Sequence, residues 1–209
     1  MIHANDLVFD IGASVGDKTA VYLRQGARVV AFEPEPVSFA KLRARYYENT
    51  KVTVLPVALA AQVGTVQLAI CTKARTISTC NPEWQTGRFR KHHWTETVEV
   101  QATTLDTAIA LYGRPQFIKI DVEGYEAEVL TGLTQTVPYL SFEFAHEFPG
   151  QAKDCLHWLK HLGYRDFNVI FGQESEFALD WCDADRVVEA IAQQPPTTWG
   201  DIYAREKGE

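Results

Sequence analysis

Long apolar runs are missing from this chain. Nothing approaches the roughly 18 residues that cross a bilayer, and Met1-Ile2-His3-Ala4-Asn5-Asp6 lacks the blocks of a signal peptide. No membrane segment and a cytoplasmic protein are the expectations. Paired cysteines are missing too: Cys71, Cys80, Cys155 and Cys182 form no Cys-x-x-Cys, which argues against a zinc ribbon or a disulfide framework. Positive charge is scarce, and a formal net charge of −7 does not suit a general nucleic-acid binder, whose surface must neutralise phosphates. No internal repeat or low-complexity block is present. What remains is the composition of an ordinary globule, 46% apolar and 22% charged, and 209 residues are read as one domain, 1–209.

The stretch Leu7-Val8-Phe9-Asp10-Ile11-Gly12-Ala13-Ser14-Val15-Gly16 reads as a strand, a tight turn and the start of a helix. Glycine lets backbone approach a ligand closely, and the first N–H groups of the following helix are free to face it. A dinucleotide site would want Gly-x-Gly-x-x-Gly, but the middle glycine is absent. Gly12-Ala13-Ser14-Val15-Gly16 also spells the nucleophile elbow of a serine hydrolase. That architecture builds several strands before its nucleophile, however, and only Met1 to Asp6 precede this one. The third reading is an adenosyl site. Val29-Val30-Ala31-Phe32-Glu33 ends a second strand in an acid about twenty residues on, placed to accept from ribose hydroxyls. A ligand with ribose, adenine and an amino-acid moiety but no diphosphate is S-adenosylmethionine, and Asp10 and Glu33 would favour its cationic ammonium and sulfonium.

Further along, Thr53 to Val57 reads as a third strand, with Ala58 expected against the adenine. Thr65 to Ile70 and Thr97 to Gln101 alternate like the arms of a hairpin. Between the arms, at about 71–96, lies an insertion in which Lys73, Arg75, Arg88, Arg90 and Lys91 are interleaved with Trp84, Phe89, His92, His93 and Trp94. It reads either as a solvated loop whose aromatics pack on the core or as a lid over an acceptor bearing an acidic group or a stacked sugar ring. Phe117-Ile118-Lys119-Ile120-Asp121 is a buried strand ending in a third acid, and Tyr139 to Phe144 is another strand, followed by Ala145-His146-Glu147. Ligands of open α/β sheets sit outside the carboxyl ends of the strands, where these acids gather.

Taken in order, Val8-Phe9-Asp10-Ile11-Gly12-Ala13-x-x-Gly16-x-x-Thr19, Phe32-Glu33-Pro34, Leu105-Asp106 and Ile118-Lys119-Ile120-Asp121-Val122-Glu123-Gly124-x-Glu126-x-x-Val129-Leu130 resemble the FkbM family of S-adenosylmethionine-dependent methyltransferases. The resemblance implies a class I, Rossmann-like α/β sandwich whose seven-stranded, mostly parallel sheet has its last strand antiparallel. It also implies methyl transfer to a hydroxyl oxygen of a sugar or secondary metabolite. Asp10, Gly12, Ala13, Ser14, Gly16, Thr19, Glu33, Pro34, Ala58 and Asp121 are the expected cofactor residues, Ser14 standing where the family usually has Asn. Members commonly carry an N-terminal region that covers the pocket; here the insertion, or a second subunit in a homo-oligomer, is expected to cover it.

An alcohol must lose its proton during transfer, which calls for a base. His146, just past a strand end, leads; Glu143, Asp121 and Glu123 are the alternatives, and a lone histidine can equally be a surface residue. Asp121, Glu123 and Glu143 could instead hold Mg²⁺, but a metal-free route is preferred. His157 and His161 lie one turn apart on a helix and read as a solvated face. Three functions are therefore carried forward: a methyltransferase for a small-molecule or glycan acceptor, a non-catalytic adenosyl-binding module, and a serine hydrolase using Ser14.

Overall fold

The computed structural model describes residues 1–206, with the backbone alone at positions 87 and 88; the expectation for the Arg88 side chain lies outside the described residues. The chain begins with β1 (Leu7–Ile11), every residue of which is buried, and turns through Gly16, in the left-handed conformation, into α1 (Asp17–Arg24). β2 (Arg28–Phe32) follows. Glu35 then caps α2 (Pro36–Arg45), its carboxylate accepting the N–H groups of Val37 and Ser38, while Pro36 occupies the first turn, where no N–H is needed. β3 (Val52–Leu55) completes the first half of the sheet.

A short β4 (Ala58–Leu59) leads to the hairpin of β5 (Gly64–Cys71) and β6 (Trp94–Thr103), which pair antiparallel with Thr65 opposite Gln101 and Ala69 opposite Thr97. These three strands form a separate small sheet in the order β4-β6-β5. The segment between the arms is wound into three 3₁₀ turns, Arg75–Ile77, Pro82–Gln85 and Gly87–Lys91.

The second half runs α3 (Leu105–Tyr112), β7 (Phe117–Ile120), α4 (Glu126–Thr131), β8 (Tyr139–Ala145), α5 (Pro149–Leu162), β9 (Asp166–Phe171), α6 (Ala184–Ala192) and β10 (Trp199–Arg205). The main sheet has seven strands in the order β3-β2-β1-β7-β8-β10-β9. β10 is antiparallel to both its neighbours, and the other pairings are parallel. The fully buried Phe9, Ile118, Leu140 and Phe142 on central strands, with Leu156 and Leu159 of α5, belong to the largest core cluster. No described helix is long and apolar enough to cross a membrane.

Because β2, β1 and β7 are adjacent and parallel, Glu33, Asp10 and Asp121 all come to the carboxyl edge of the sheet. Register adds a second alignment. Asp10 pairs with Lys119, Lys119 with Ser141, and Ser141 with Tyr203. Side chains two residues apart on a strand share a face, so Asp121, Glu143 and its partner Asp201 form the next row outward.

Candidate functional site: a cofactor cleft and an acceptor chamber

The turn after β1 is built for close approach. A Cβ on Gly12 would lie 1.8 Å from the Asp121 carbonyl oxygen, and Gly12 has φ +76°; no side chain fits there. The N–H groups of Gly12 and Ala13 both donate to the Phe32 carbonyl, which ties the turn to β2. Ser14 also has positive φ, and its N–H donates to Glu33 Oε2 at 2.7 Å, while Glu33 Oε1 accepts from Glu35 N at 2.8 Å. One buried carboxylate thus holds the glycine turn against the β2 turn.

Around these loops is a solvent-open cleft. Gly12, Ser14, Glu33, Pro34 and Asp121 contribute polar groups and backbone to it, and Ala58, Leu59, Leu68, Val122 and Tyr125 contribute apolar surface. An apolar compartment beside a carboxylate with spare lone pairs suits a purine joined to a ribose. Of the ten expected cofactor residues, Gly12, Ser14, Glu33, Pro34, Ala58 and Asp121 line this cavity. The other four lie behind it. Thr19, wholly buried, donates to Asp10 Oδ2 at 2.5 Å, so Asp10 has a partner inside the protein. Ala13 packs with Val8 and Leu42, and Gly16 takes its left-handed φ beneath Leu42 and Tyr46.

The insertion contributes a wall as well. Arg75, Thr76, Ser78 and Cys80 line the same cavity, and Arg75 Nη1 donates to Glu35 Oε1 at 2.6 Å. Of the insertion's cations, Arg75 is paired in this cleft, and Lys73, Arg90 and Lys91 are exposed. This agrees with the reading of a solvated loop whose aromatics pack inward, since Trp84 is 3% exposed and stacks on Phe89 at 4.9 Å between ring centroids.

Trp84 and Phe89, with Trp199, Ala145, Glu123 and Glu143, line a second pocket that is open to solvent. Glu123 borders both chambers. It sits at φ +57°, a strained conformation for a side chain of this size, of the kind that clusters at functional sites. Carboxylate oxygens of Asp121, Glu123 and Glu143 lie within 4.8 Å of one another. Burial, then the Asp121 charge, pushes both glutamates well above the ordinary carboxylate range. Beneath them is Lys119, 3% exposed, 3.1 Å from Asp121 Oδ2 and 2.8 Å from Asp201 Oδ1. Burial works against its charge, but Asp121, Asp201 and Glu143 outweigh burial and keep it protonated. A fixed cation already borders the three acids, which weakens the case for Mg²⁺ there and favours the metal-free expectation.

Lys119 and Asp201 were not anticipated from the sequence. The signal for Lys119 was its own strand: a lysine inside Phe117-Ile118-Lys119-Ile120 must find carboxylates or lose its charge. His146 is not brought to this site. Its Nδ1 is 2.9 Å from the Pro195 carbonyl, and it lines a separate groove with Phe144, Pro149, Ala152 and Val188. The hydrolase reading fails with it, since Ser14 Oγ is buried with no hydrogen-bond partner and His146 is engaged elsewhere. His157 and His161 are exposed on α5, as expected of a solvated face.

The buried acids leave a mark on stability. Burial raises Asp10 to about 6, Glu33 to about 7 and Glu126 to about 7, the last accepting the N–H groups of Val122 and Gly124. Each binds its proton more tightly folded than unfolded, so stability is full below the unfolded values near 4 and is lost as pH rises through 6 to 7. The ligand-free protein is expected to melt roughly 5–10 °C lower at pH 8 than at pH 5. Scanning fluorimetry would check this; a melting temperature that climbs steadily over the same interval would contradict it.

Fold and site together define a class I S-adenosylmethionine-dependent methyltransferase. A family model described as the methyltransferase FkbM domain matches residues 10–165, and the chain belongs to that family. No curated protein sequence matches it significantly. Among solved structures, it is similar to precorrin-6y C5,15-methyltransferase from Geobacter metallireducens (TM-score 0.53, 10% identity, 98% of this chain and 83% of that one). It is also similar to precorrin 8w decarboxylase from Methanobacterium thermoautotrophicum (TM-score 0.54, 13% identity, 98% and 84%). A third is the Methanococcus jannaschii fibrillarin pre-rRNA processing protein (TM-score 0.50, 12% identity, 99% and 69%). At these identities the likeness concerns the fold.

Proposed function

We propose that the protein is an O-methyltransferase acting on a hydroxyl of a small molecule or glycan, such as a sugar or secondary metabolite. The observation that carries this is the junction at Asp121 and Glu123, where the cleft at the sheet's carboxyl edge opens beside an aromatic chamber lined by Glu123 and Glu143. S-Adenosylmethionine supplies, when bound, a methyl carbon activated by its sulfonium, so that attack by the acceptor oxygen releases a neutral thioether. Gly12, Ser14, Glu33, Pro34 and Ala58 would hold the nucleoside. Glu143, which lines the acceptor chamber, would accept the hydroxyl proton in its ionised form; its raised affinity for protons makes that form a stronger base than a solvated carboxylate and makes turnover rise with pH. Lys119 fixes Asp121 and Asp201 and offsets part of the negative charge around that base.

In this reading residues 1–209 work as one methyltransferase domain, with 71–96 covering both chambers. The four free cysteines suit a cytoplasmic setting. The chain's charge of −7 favours a small acceptor over nucleic acid. The non-catalytic alternative keeps the cleft but leaves the acid cluster without a purpose. Calorimetry with S-adenosylhomocysteine tests the reading: micromolar binding is expected, and no heat at millimolar ligand would overturn it.

A further inference from the structure

Resting on that reading, we propose that the acceptor is a phosphorylated sugar or polyol, whose phosphate docks on the exposed basic tip of the 71–96 insertion while a hydroxyl reaches into the acceptor chamber. The cofactor cleft leaves most of the insertion's charge unused. Five Lys and Arg stand between positions 73 and 91 against one acid, Glu83, in a chain whose net charge is −7. Arg75 is spent on Glu35. Lys73, Arg90, Lys91, His92 and His93 are all exposed, and among the described residues no carboxylate forms an ion pair with any of them. Like charges gathered without counter-charges repel one another, and a bound anion relieves that repulsion.

The hairpin gathers these cations and sets them beside the chamber. The Thr72 N–H donates to the His93 carbonyl at 3.3 Å, and the hydroxyls of Thr72 and Thr95 are 3.3 Å apart, so Lys73 and His93 leave the two arms side by side. Arg90 and Lys91 close the third 3₁₀ turn, whose Phe89 lines the chamber. The Phe89 and His92 rings are 5.9 Å apart, as residues three apart on such a turn share a side, so the basic tip continues the chamber wall. A phosphate monoester carries nearly two negative charges and three acceptor oxygens, which suit guanidinium and ammonium donors. The local field draws an anion to this tip, while the net negative surface elsewhere repels it. Inside, the side chains lining the chamber are aromatic or Ala145, apart from Glu123 and Glu143, so the phosphate stays outside and the hydroxylated part enters. A neutral sugar would leave the tip unanswered, and a cationic one would be repelled by it.

The test uses the full chain saturated with S-adenosylhomocysteine and two matched probes, glucose and its phosphate ester at the primary hydroxyl, with binding followed by calorimetry. At about 20 mM salt the ester is expected to bind about tenfold more tightly than glucose, and at about 300 mM to lose most of that advantage. In the double variant Arg90→Glu/Lys91→Glu the advantage is expected to fall to within about twofold, with the affinities for glucose and S-adenosylhomocysteine unchanged. Lys41→Glu/Arg43→Glu, exposed on α2, makes the same change in net charge away from the tip and should leave the preference intact. An ester that binds no better than glucose, including the case where neither binds, overturns the proposal, as does a preference that survives in the tip variant or disappears in the α2 variant. Tip-dependent binding of phosphatidylglycerol vesicles or of a DNA duplex, without preference for the sugar phosphate, overturns it too. If S-adenosylhomocysteine itself does not bind, the methyltransferase reading fails first. If it binds and the probes show no phosphate preference, only the acceptor class is wrong.

Discussion

Replacing Glu33 with alanine is expected to weaken S-adenosylhomocysteine binding at least about a hundredfold, which is roughly 2.7 kcal/mol. The carboxylate accepts Ser14 N at 2.7 Å and Glu35 N at 2.8 Å, so its removal strands two backbone donors at the mouth of the cleft. An unsatisfied buried donor costs on the order of 1–3 kcal/mol. The loss falls on the loops that line the cavity, not on the core beneath them. Each oxygen also keeps a lone pair for a ribose hydroxyl, and that is lost too. Glu33→Gln should recover part of the affinity, because the amide oxygen can still serve one of the two N–H groups. Calorimetry on protein shown to be folded by circular dichroism would decide. An affinity within about fivefold of the parent would remove Glu33 from the site.

The second large effect is expected at Glu143. With any hydroxyl acceptor that supports turnover, Glu143→Gln should lower kcat by about 100- to 1000-fold, the range general bases contribute. S-Adenosylhomocysteine affinity should stay within about twofold, since Glu143 lines the acceptor chamber and not the nucleoside cleft. His146→Ala is the matched control. Its ring is tied to the Pro195 carbonyl and faces another groove, so transfer should change by less than about twofold. If the two variants exchanged behaviour, the base would be His146 after all.

The contrast between these residues shows how far the sequence could be read. β1, β2 and β7 announce themselves as apolar runs ending in Asp10, Glu33 and Asp121, because a buried parallel strand needs such a run and its carboxyl end needs polar groups. The hairpin arms were legible from alternation, and the observed register, Thr65 opposite Gln101, follows from it. The third strand starts one residue earlier than expected and ends two earlier, at Leu55, before Pro56. β8 ends at Ala145 and His146 falls in the turn beyond it, where strand alternation no longer sets side-chain direction, so its separation from Glu143 was not legible locally. Lys119 with Asp201 was out of reach for a different reason. Their pairing depends on β10 entering between β8 and β9 in one antiparallel register, a long-range outcome that no local pattern encodes. The division of the insertion was hidden likewise, since Arg75 finds Glu35 only once α2 and the hairpin are side by side.

That division has a consequence for how the two chambers communicate. Arg75, Thr76 and Ser78 line the first cleft, and Trp84 and Phe89, a few residues on in the same winding, line the second chamber. Thr79 and Asn81, between them, are bonded to the carbonyls of Glu123 and Gly124, the very loop that separates the compartments. Were a ligand on one side to shift that winding, linkage would require each ligand to alter the other's affinity by the same factor.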